Sequence, residues 1–310
     1  MSYLAGVDGG NSKTHCLIGD DLGNVISEGF SGGSNYQVIG VEEARDVIKA
    51  AIEGAANKAN IKVEELAYTV LGLAGADFEE DYVVLGEICG EILPKDRYKI
   101  LNDSWIGLRA GIDANWGIAT VCGTAGACSG RSRDGKEVRL RNMTYEAGMR
   151  GGGNDITRMA LHYAFRSDEG TGQKTLLEKE LPGVFGMDTI DEIILNAIMI
   201  ESDTEAIQKI PVLVGELACK GDAVCQDILL RVGHELGEIA GGVVKRLDMQ
   251  DEAFDVALIG GVFKSECPLL KDEYTTTLHR SAPKAKISVV GKAPVYGAYY
   301  LALEEYKKIK

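Results

Sequence analysis

Hydrophobic and polar positions divide the first part of the chain into short strands, followed by alternating helices and strands. Apolar, β-branched runs separated by turns rich in Gly, Asp and Asn predict an antiparallel β-meander at the start. An apolar stripe with helical period follows it, and then strands and helices alternate. We predict strands at residues 3–7, 15–18, 25–30, 68–73 and 98–101. We predict helices at residues 41–58 and 79–92, and a short one after Ser104.

The same order restarts near residue 115, with a helical insertion. Strands are expected at residues 116–121, 125–130, 136–140, 254–259 and 285–290. Helices are expected at residues 156–165, 175–181, 188–199, 203–218, 222–247 and 294–308. Strand and helix alternation of this kind implies parallel extensions of the sheets, with helices on their faces. We therefore predict two α/β domains, residues 1–114 and residues 115–293, with the C-terminal helix, residues 294–310, joining the first.

The charge of the chain limits its partners. Its 310 residues carry 33 Lys and Arg against 47 Asp and Glu, a net charge of −14. This charge repels nucleic acid backbones and anionic lipid, so neither is an expected partner. Seven cysteines without a Cys-x-x-Cys pair predict reduced thiols and a cytoplasmic protein. A small anion can still bind, because local backbone amides outweigh the global field.

Most of the informative positions are glycines, of which there are 39 against 6 prolines. The first glycine turn follows Asp8 and contains Gly9, Gly10, Asn11, Lys13 and Thr14. Two adjacent glycines permit a tight turn whose amides point at an anion, with Asp8 near the metal that accompanies a nucleotide. The alternative is an ordinary hairpin turn, in which Asp-Gly is common.

Two further glycine turns follow apolar strands in the second half. Gly123, Thr124 and Gly126 occupy the position between two strands that the first turn occupies in the first half. Two matching turns predict a clamp across a cleft. Gly260 and Gly261 allow close approach by a flat ligand such as adenine, although a plain strand-to-helix turn explains them equally well.

Together these motifs resemble the sugar kinase, Hsp70 and actin superfamily. Within it the match is to the N-acetylglucosamine kinase branch, also called the BadF/BadG/BcrA/BcrD ATPase family, and it covers nearly the whole chain. The resemblance implies an α/β protein of two ribonuclease H-like, actin-like ATPase domains around a nucleotide cleft, which close on ATP and a sugar. The matching segments are residues 8–14, 33–36, 101–103, 122–126, 260–265 and 294–298.

The resemblance assigns the nucleotide to the three glycine turns. It implies that Asp8 positions Mg²⁺, through water. The residues implied in ATP binding are Gly9, Gly10, Asn11, Lys13 and Thr14 in the first phosphate loop, Thr124 and Gly126 in the second, and Gly260, Gly261 and Ser265 beside adenosine.

The resemblance also implies a catalytic acid and a sugar site. Asp103 closes an apolar strand and is the expected general base that accepts the proton of the sugar hydroxyl. Its alternative role is the N-cap of the next helix. Asn35 is the expected sugar-binding amide, and its alternative is a polar turn. Gly123, Thr124 and Gly148 complete the implied sugar site.

The sequence departs from this family before the long helical insertion. The family carries Gly-Asp-Glu-Gly-Ser there, whereas Gly152 stands at the position of the sugar-binding acid. Asp155 serves instead if the loop shifts its register, or it is the N-cap of a helix beginning at Ile156. Arg150 is a further candidate, for an acidic group on a modified sugar such as a lactyl carboxylate.

The leading hypothesis is an ATP- and Mg²⁺-dependent kinase that phosphorylates a primary hydroxyl of an N-acetylated or amino hexose, with N-acetylglucosamine foremost. The partner is then a small amino sugar, and a homodimer is possible. One alternative is an ATPase activator with a [4Fe–4S] cluster shared across a homodimer, which requires cysteines to meet at the two-fold axis. Another is a non-enzymatic, nucleotide-gated sugar sensor.

Overall fold

The computed structural model of the chain describes residues 1–140, 148, 150–196 and 204–310. These residues form two compact units. Unit 1 comprises Met1–Asn115 and Val290–Lys310, and unit 2 comprises Trp116–Val289. The division lies one residue from the expected boundary at 114/115, and the C-terminal helix groups with unit 1.

Unit 1 is built on a five-stranded sheet with the order β3-β2-β1-β4-β5. Its strands are β1 (Tyr3–Gly9), β2 (Thr14–Asp20), β3 (Val25–Ser31), β4 (Leu66–Leu73) and β5 (Tyr98–Asn102). The first three strands pair antiparallel, as the meander predicted, whereas β1, β4 and β5 run parallel. Helices on both faces bury the sheet in two apolar clusters. The α/β fold class predicted from the sequence is therefore confirmed for this half of the chain.

The helices of unit 1 cover the two faces of this sheet. They are α1 (Tyr36–Ile39), α2 (Val41–Ala59), α3 (Glu79–Gly90), α4 (Asp103–Gly111) and the C-terminal helix α11 (Pro294–Ile309), with a 3₁₀ turn at Val63–Glu65. A methyl group at Gly29 on β3 would lie 2.0 Å from the Ala51 carbonyl oxygen of α2. On the other face, α4 and α11 pack side by side. The short α1 and the 3₁₀ turn escaped the sequence analysis.

Unit 2 repeats the same sheet topology. Its strands are β6 (Gly117–Cys122), β7 (Gly126–Arg131), β8 (Glu137–Arg139), β9 (Asp255–Ile259) and β10 (Lys286–Val289). The order is β10-β9-β6-β7-β8, in which β6, β7 and β8 are antiparallel and β6, β9 and β10 are parallel. Each position therefore corresponds to one in the sheet of unit 1. The predicted duplication is confirmed at the level of topology.

The helices of unit 2 form one large apolar core with its sheet. They are α5 (Gly153–Asp168), α6 (Leu177–Val184), α7 (Ile190–Leu195), α8 (Thr204–Cys219), α9 (Ala223–Arg246) and α10 (Leu269–His279), with a 3₁₀ turn at Val262–Lys264. Helix α5 begins at Gly153, three residues before the predicted start. Helix α7 ends at Leu195; residues 197–199 of the predicted helix and residue 203 of the next lie outside the described residues.

Helix α10 was missed by the sequence analysis, although the topology requires a helix between the parallel strands β9 and β10. Its sequence contains Thr275, Thr276 and Thr277 in succession. Three β-branched polar residues weaken the helical signal.

Among the described residues, no helix has the length and apolarity needed to cross a membrane.

Close backbone contact fixes α11 in unit 1. An added methyl group at Gly297 of α11 would lie 1.8 Å from the Ile106 carbonyl oxygen of α4. At Gly6 of β1, it would lie 2.3 Å from the amide nitrogen of Tyr299. These glycines allow two helices and a strand to approach more closely than any other side chain permits.

Gly297→Ala is therefore expected to lower the free energy of unfolding by about 3 kcal/mol, because the helices must separate to admit the methyl group. Gly86→Ala is the matched control, since a methyl group at Gly86 in helix α3 meets nothing within 4 Å. It should raise stability by about 0.5–1 kcal/mol through helix propensity alone. Denaturant unfolding measures both. Equal stability of the two variants would contradict the close packing.

Candidate active site

The carboxyl ends of the parallel strands in unit 1 bring two predicted site residues together. Asp8 pairs with Gly72 in the register of β1 and β4, and Leu73 of β4 pairs with Asn102 at the end of β5. Asp103 follows Asn102 directly as the first residue of α4. Ligands of α/β proteins bind beyond such strand ends. The carboxyl edge of the sheet therefore carries Asp8 near the end of β1 and Asp103 directly after β5, with β4 between the two strands.

The two carboxylates interact electrostatically. The pKa of Asp8 is raised to about 7, chiefly by burial and then by the charge of Asp103, while the ammonium of Lys13 acts to lower it. Like charges near one another disfavour the ionised form, and an opposite charge restores it. Asp103 and Lys13 thus each lie within electrostatic reach of Asp8.

Asp103 is not the N-cap of α4, which was its alternative role. Asn102 is the N-cap, and its Oδ1 accepts hydrogen bonds from Ser104 N at 3.1 Å and Ser104 Oγ at 2.6 Å. The Nδ2 group of Asn102 donates to Asp77 Oδ1 at 3.1 Å. The cap is thereby filled by the preceding residue, and Asp103 stands half-buried at the positive end of the helix dipole. Asn102 is a positioning residue that the sequence analysis missed.

Hydrogen bonds orient the first glycine turn. The carbonyl oxygen of Gly10 accepts from Ser34 N at 3.0 Å, and Gly10 N donates to Lys13 O at 2.9 Å. In a trans peptide the C=O and N–H groups point in opposite directions. The N–H group of Asn11 therefore points away from Ser34. Thr14 is buried and donates to Gly32 O at 2.9 Å, so its hydroxyl holds the loop in place.

Asn35 links the predicted sugar site to the first turn. Its Oδ1 caps α1 by accepting from Gln37 N at 3.0 Å, which matches the polar-turn alternative. Its Nδ2 donates to Asn11 Oδ1 at 2.8 Å. The amide is mostly buried. This second hydrogen bond joins Asn35, which is expected to bind sugar, to Asn11, which is expected to bind phosphate.

Asp81 holds the surrounding loops together. This buried carboxylate accepts hydrogen bonds from Tyr36 Oη, from Gln37 Nε2 at 3.1 Å, and from the amides of Asp77 and Phe78 at 2.9 and 2.7 Å. Burial alone would raise the pKa of Asp81, but these hydrogen bonds outweigh it and hold the pKa below its usual value. Asp81 therefore joins α1 to the loop after β4. The sequence around Asp81 does not indicate that it joins these two segments.

The second glycine turn in unit 2 is oriented by α5. The carbonyl oxygens of Gly123 and Thr124 accept from Gly153 N at 2.8 Å and Asn154 N at 3.0 Å. The N–H groups of Thr124 and Ala125 must therefore point away from α5. Such a pair of outward amides is suited to an anion.

The third glycine turn follows β9 in unit 2. Gly260 has φ of +116°, and a methyl group there would lie 2.1 Å from the Cys122 carbonyl oxygen. Both the positive φ and the lack of space for a Cβ atom therefore require glycine at position 260. Gly261 faces open space. Ser265 Oγ accepts from Cys267 N at 3.3 Å.

The segment that departs from the family pattern packs directly on the second turn. Gly152 is the N-cap of α5, and a methyl group there would lie 2.4 Å from Ala125. The N-cap alternative for Asp155 is wrong, because the helix starts earlier and Asp155 accepts from Gly151 N at 3.2 Å. Arg150 donates to Glu235 at 3.4 Å. Gly148 is exposed with φ of +92°, and its neighbours at 141–147 and 149 lie outside the described residues.

The donor set of unit 1 suits Mg²⁺. Over the described ranges, no three His, Cys, Asp or Glu residues cluster as a protein-only metal site. Magnesium usually takes one or two carboxylates and completes its octahedron with phosphate oxygens and water. Asp8 fits that requirement as the protein carboxylate, with the nucleotide as the source of the phosphates.

Comparison with known proteins places the chain in a family. The model of the BadF/BadG/BcrA/BcrD ATPase family matches residues 5–301. The protein belongs to that family, as its motifs indicated.

Individual relatives extend over almost the whole chain. The N-acetylmuramic acid/N-acetylglucosamine kinase of Clostridium acetobutylicum is 30% identical, over 98% of this chain and 99% of its own. The N-acetyl-D-glucosamine kinase of Dictyostelium discoideum is 26% identical, over 97% and 98%. A solved structure of an N-acetylglucosamine kinase candidate from Chromobacterium violaceum has a TM-score of 0.76 at 21% identity, over 97% and 99%. That structure supports the fold.

Asp81→Asn is expected to lower the free energy of unfolding by about 2–4 kcal/mol, because a buried amide nitrogen would face hydrogen-bond donors. Glu80→Gln, at an exposed position of the same helix, is the control and should change stability by less than about 0.5 kcal/mol.

The acid limb of the stability curve provides a second readout for Asp81. Because its pKa is lowered by folding, the carboxylate stabilises the protein above its unfolded pKa, and this contribution is lost as the pH falls through the lower folded value. Asp81→Asn should flatten the loss of stability below about pH 4. An unchanged acid limb would show that the hydrogen bonds to Asp81 contribute nothing.

Proposed function

We propose that this protein is an ATP-dependent kinase that phosphorylates a primary hydroxyl of an N-acetylated amino sugar. The observation that carries the proposal is the electrostatic interaction between Asp8 and Asp103 at the carboxyl edge of the unit 1 sheet, beside the glycine turn that contains Lys13. Family membership supports ATP as the phosphoryl donor. The printed activities of the two curated relatives support the amino sugar as acceptor.

Asp103 is the proposed general base. Its backbone is fixed by β5 and by the capping hydrogen bonds of Asn102, while its carboxylate is half-buried. A carboxylate so placed accepts the proton of the sugar hydroxyl as the oxygen attacks the γ-phosphorus. The proton moves to a carboxylate oxygen of Asp103, and the phosphoryl group moves to the sugar oxygen as ADP leaves.

The glycine turns supply the groups that hold the phosphates. The N–H group of Asn11, with Gly9, Gly10 and Lys13, is proposed for the first turn. The N–H groups of Thr124 and Ala125, with Gly126, are proposed for the second, and Gly260, Gly261 and Ser265 for adenosine. Asp8 would hold Mg²⁺, which neutralises phosphate charge when bound.

The sugar site is proposed around Asn35, with Gly123, Thr124 and Gly148. Since Gly152 has no room for a side chain, the acid found at that position in the family pattern has no counterpart. Recognition then depends on the amide of Asn35 and on backbone groups, which are neutral. N-acetylglucosamine is the proposed substrate, and N-acetylmuramate is a second acceptor to be tested because one relative carries both names.

An iron–sulfur cluster shared across a homodimer needs about two thiolates at the surface of each subunit, and Cys219 is the one exposed cysteine of the seven, all of which lie in the described residues. Cys122, Cys128 and Cys225 are buried in unit 2, and burial raises the pKa of each thiol well above its usual value. Ligation requires thiolates that reach a subunit surface. The homodimer and the cytoplasmic location stay predictions of the sequence.

Asp103→Asn should reduce kcat about 10²–10⁴-fold, because the amide cannot accept the hydroxyl proton. Affinity for a non-hydrolysable ATP analogue should change less than about threefold, since a base contributes to the transition state rather than to nucleotide binding. Coupled ADP-release assays and calorimetric titration measure the two quantities.

Asp113→Asn is the matched control, because its side chain is fully exposed in the same unit and pairs loosely with Arg109 at 3.6 Å. It should retain wild-type kcat. Near-normal turnover in Asp103→Asn would remove Asp103 from the role of base.

An acceptor comparison tests the substrate assignment. ADP release is measured with N-acetylglucosamine, glucosamine, N-acetylmuramate, N-acetylmannosamine and glucose. Asn35→Asp keeps the cap of α1, since Asp is an equally good N-cap, but it removes the amide donor. It should raise the KM for the preferred sugar about tenfold and change kcat less. Sugar binding without any ADP release would favour the sensor alternative instead.

A further inference from the structure

The loop that follows β4 begins at the edge of the sheet where the candidate active site lies. This segment, residues 74–78, is called the β4 loop below. It leaves the sheet beside the end of β5, because Leu73 of β4 pairs with Asn102. The amide nitrogen of Ala74 donates to the carbonyl oxygen of Gly9 at 2.7 Å, beside the first glycine turn. The β4 loop therefore starts close to both the proposed base and the proposed metal site.

One part of the β4 loop contacts the amide proposed to bind sugar. A Cβ atom added at Gly75 would lie 2.6 Å from Asn35 Oδ1, and the carbonyl oxygen of Gly75 accepts from Gln37 Nε2 at 3.4 Å. Gly75 has φ of +85°, a conformation that glycine adopts without strain. The β4 loop and Asn35 are thus packed too closely to admit a side chain at position 75.

The other part of the β4 loop reaches the residue that caps α4. The amide nitrogens of Asp77 and Phe78 donate to Asp81 Oδ2 at 2.9 and 2.7 Å. The side chain of Asp77 makes a separate contact, in which its Oδ1 accepts from Asn102 Nδ2 at 3.1 Å. The backbone at position 77 is therefore held by Asp81 independently of the side chain that binds Asn102.

Two partners select the same orientation of the Asn102 amide. An ionised carboxylate only accepts hydrogen bonds, so Asp77 requires the NH₂ end of that amide. The oxygen end then faces Ser104, whose N and Oγ donate to it at 3.1 and 2.6 Å. Asn102 is only 4% exposed. A rotated amide would set its NH₂ group against the N–H group of Ser104 and lose the hydrogen bonds on both sides.

The orientation of this amide bears on the proposed base, because Asp103 is the next residue. Asn102 caps α4 through Oδ1, and Asp103 is the first residue of that helix. The cap fixes the first turn, and with it the place from which the side chain of Asp103 projects. Displacing a reacting group by about 1 Å can cost on the order of 10²-fold in rate.

We propose that Asp77 is a positioning residue, which acts through Asn102 to hold Asp103 where the sugar hydroxyl meets the γ-phosphate. The β4 loop then connects sugar recognition at Asn35 to the base through continuous contacts within unit 1. The inference rests on the proposed function, from which it takes the roles of Asp103 and Asn35. The competing role for Asp77 is direct, as a second base or a metal ligand. A direct role needs the charge of the carboxylate, whereas positioning needs only its acceptor oxygen.

Two substitutions of Asp77 separate positioning from a direct role. The amide of Asp77→Asn keeps an oxygen that accepts from Asn102 but takes no proton, so kcat should stay within about threefold of wild type. Asp77→Ala removes the acceptor and should lower kcat about 10–10²-fold. In Asp77→Ala, the KM for N-acetylglucosamine and the Kd of a non-hydrolysable ATP analogue should change less than about threefold, because the loop keeps its backbone hydrogen bonds to Asp81.

Glu79→Ala is the matched control, because it removes an exposed carboxylate two residues further along the chain. It should retain wild-type kcat. A loss of kcat in Asp77→Asn as large as that in Asp77→Ala would overturn the proposal, since the charge would then be what the reaction requires. A rise in KM that equals the loss of kcat in Asp77→Ala would also overturn it, because a loosened loop disturbs sugar binding as well.

Exchanging the two side chains tests their hydrogen bond directly. Asn102→Asp keeps the cap, since Asp is an equally good N-cap, but it sets a second carboxylate against Asp77. It should lower kcat about tenfold or more. Combining Asn102→Asp with Asp77→Asn restores one donor and one acceptor, so kcat should recover to within about fivefold of wild type. A double variant whose loss equals the product of the two single losses would overturn the proposal.

A readout without turnover separates this proposal from the proposed function. Amide hydrogen exchange of Ser104, followed by NMR, should speed up about threefold or more in Asp77→Ala, and not in Asp77→Asn or Glu79→Ala. Melting temperatures verify that the variants fold. Unchanged exchange in Asp77→Ala would overturn the link between Asp77 and the cap. A wild-type protein that phosphorylates no sugar would instead overturn the proposed function, because the exchange measurement uses no substrate.

Discussion

The candidate active site depends on two carboxylates that the sheet of unit 1 holds near each other. Strand pairing fixes Asp8 beside Gly72, and the end of β5 delivers Asp103 to the same edge. Their mutual repulsion, added to burial, is opposed by the ammonium of Lys13. Ionising both carboxyl groups is electrostatically costly when no cation is bound, and a divalent cation would lower that cost. The proposed chemistry follows from that constraint, because phosphoryl transfer needs a metal and a base at one place.

The glycine turns share one physical device in both units. In each turn, neighbouring amides hold the carbonyl groups, so the intervening N–H groups must face the opposite side. In unit 1, Ser34 N donates a hydrogen bond to the carbonyl oxygen of Gly10. In unit 2, amides of the first turn of α5 donate to the carbonyl oxygens of Gly123 and Thr124. Both turns join the first two strands of topologically equivalent sheets. The duplicated fold thus orients the N–H groups of two equivalent turns by different local means.

Sequence patterns predicted most strands and helices because the central strands are buried as short continuous apolar runs bounded by turn residues, and the long helices bury one stripe with helical period. Helix α10 escaped because its three successive threonines carry little helical signal. The roles of Asn102 and Asp81 also escaped, since Asp81 receives hydrogen bonds from residues 36 and 37, far away in the sequence. Local capping rules likewise assigned N-caps to Asp103 and Asp155, whereas the helices begin one and three residues earlier than those rules assumed.

Residue 152, where the resemblance to the family places a sugar-binding acid, has a structural reason to be glycine. The backbone there packs against Ala125 and Gly126 so closely that no carboxylate fits, and this packing also holds α5 to the second turn. The packing of α5 on the second glycine turn and a side chain at position 152 are therefore mutually exclusive in this chain. In the proposed sugar site, residue 152 then contributes no charged group, and the amide of Asn35 would discriminate through hydrogen-bond geometry. An acceptor with an added carboxylate would meet no repulsion from residue 152, so any discrimination by charge would come from Asp103.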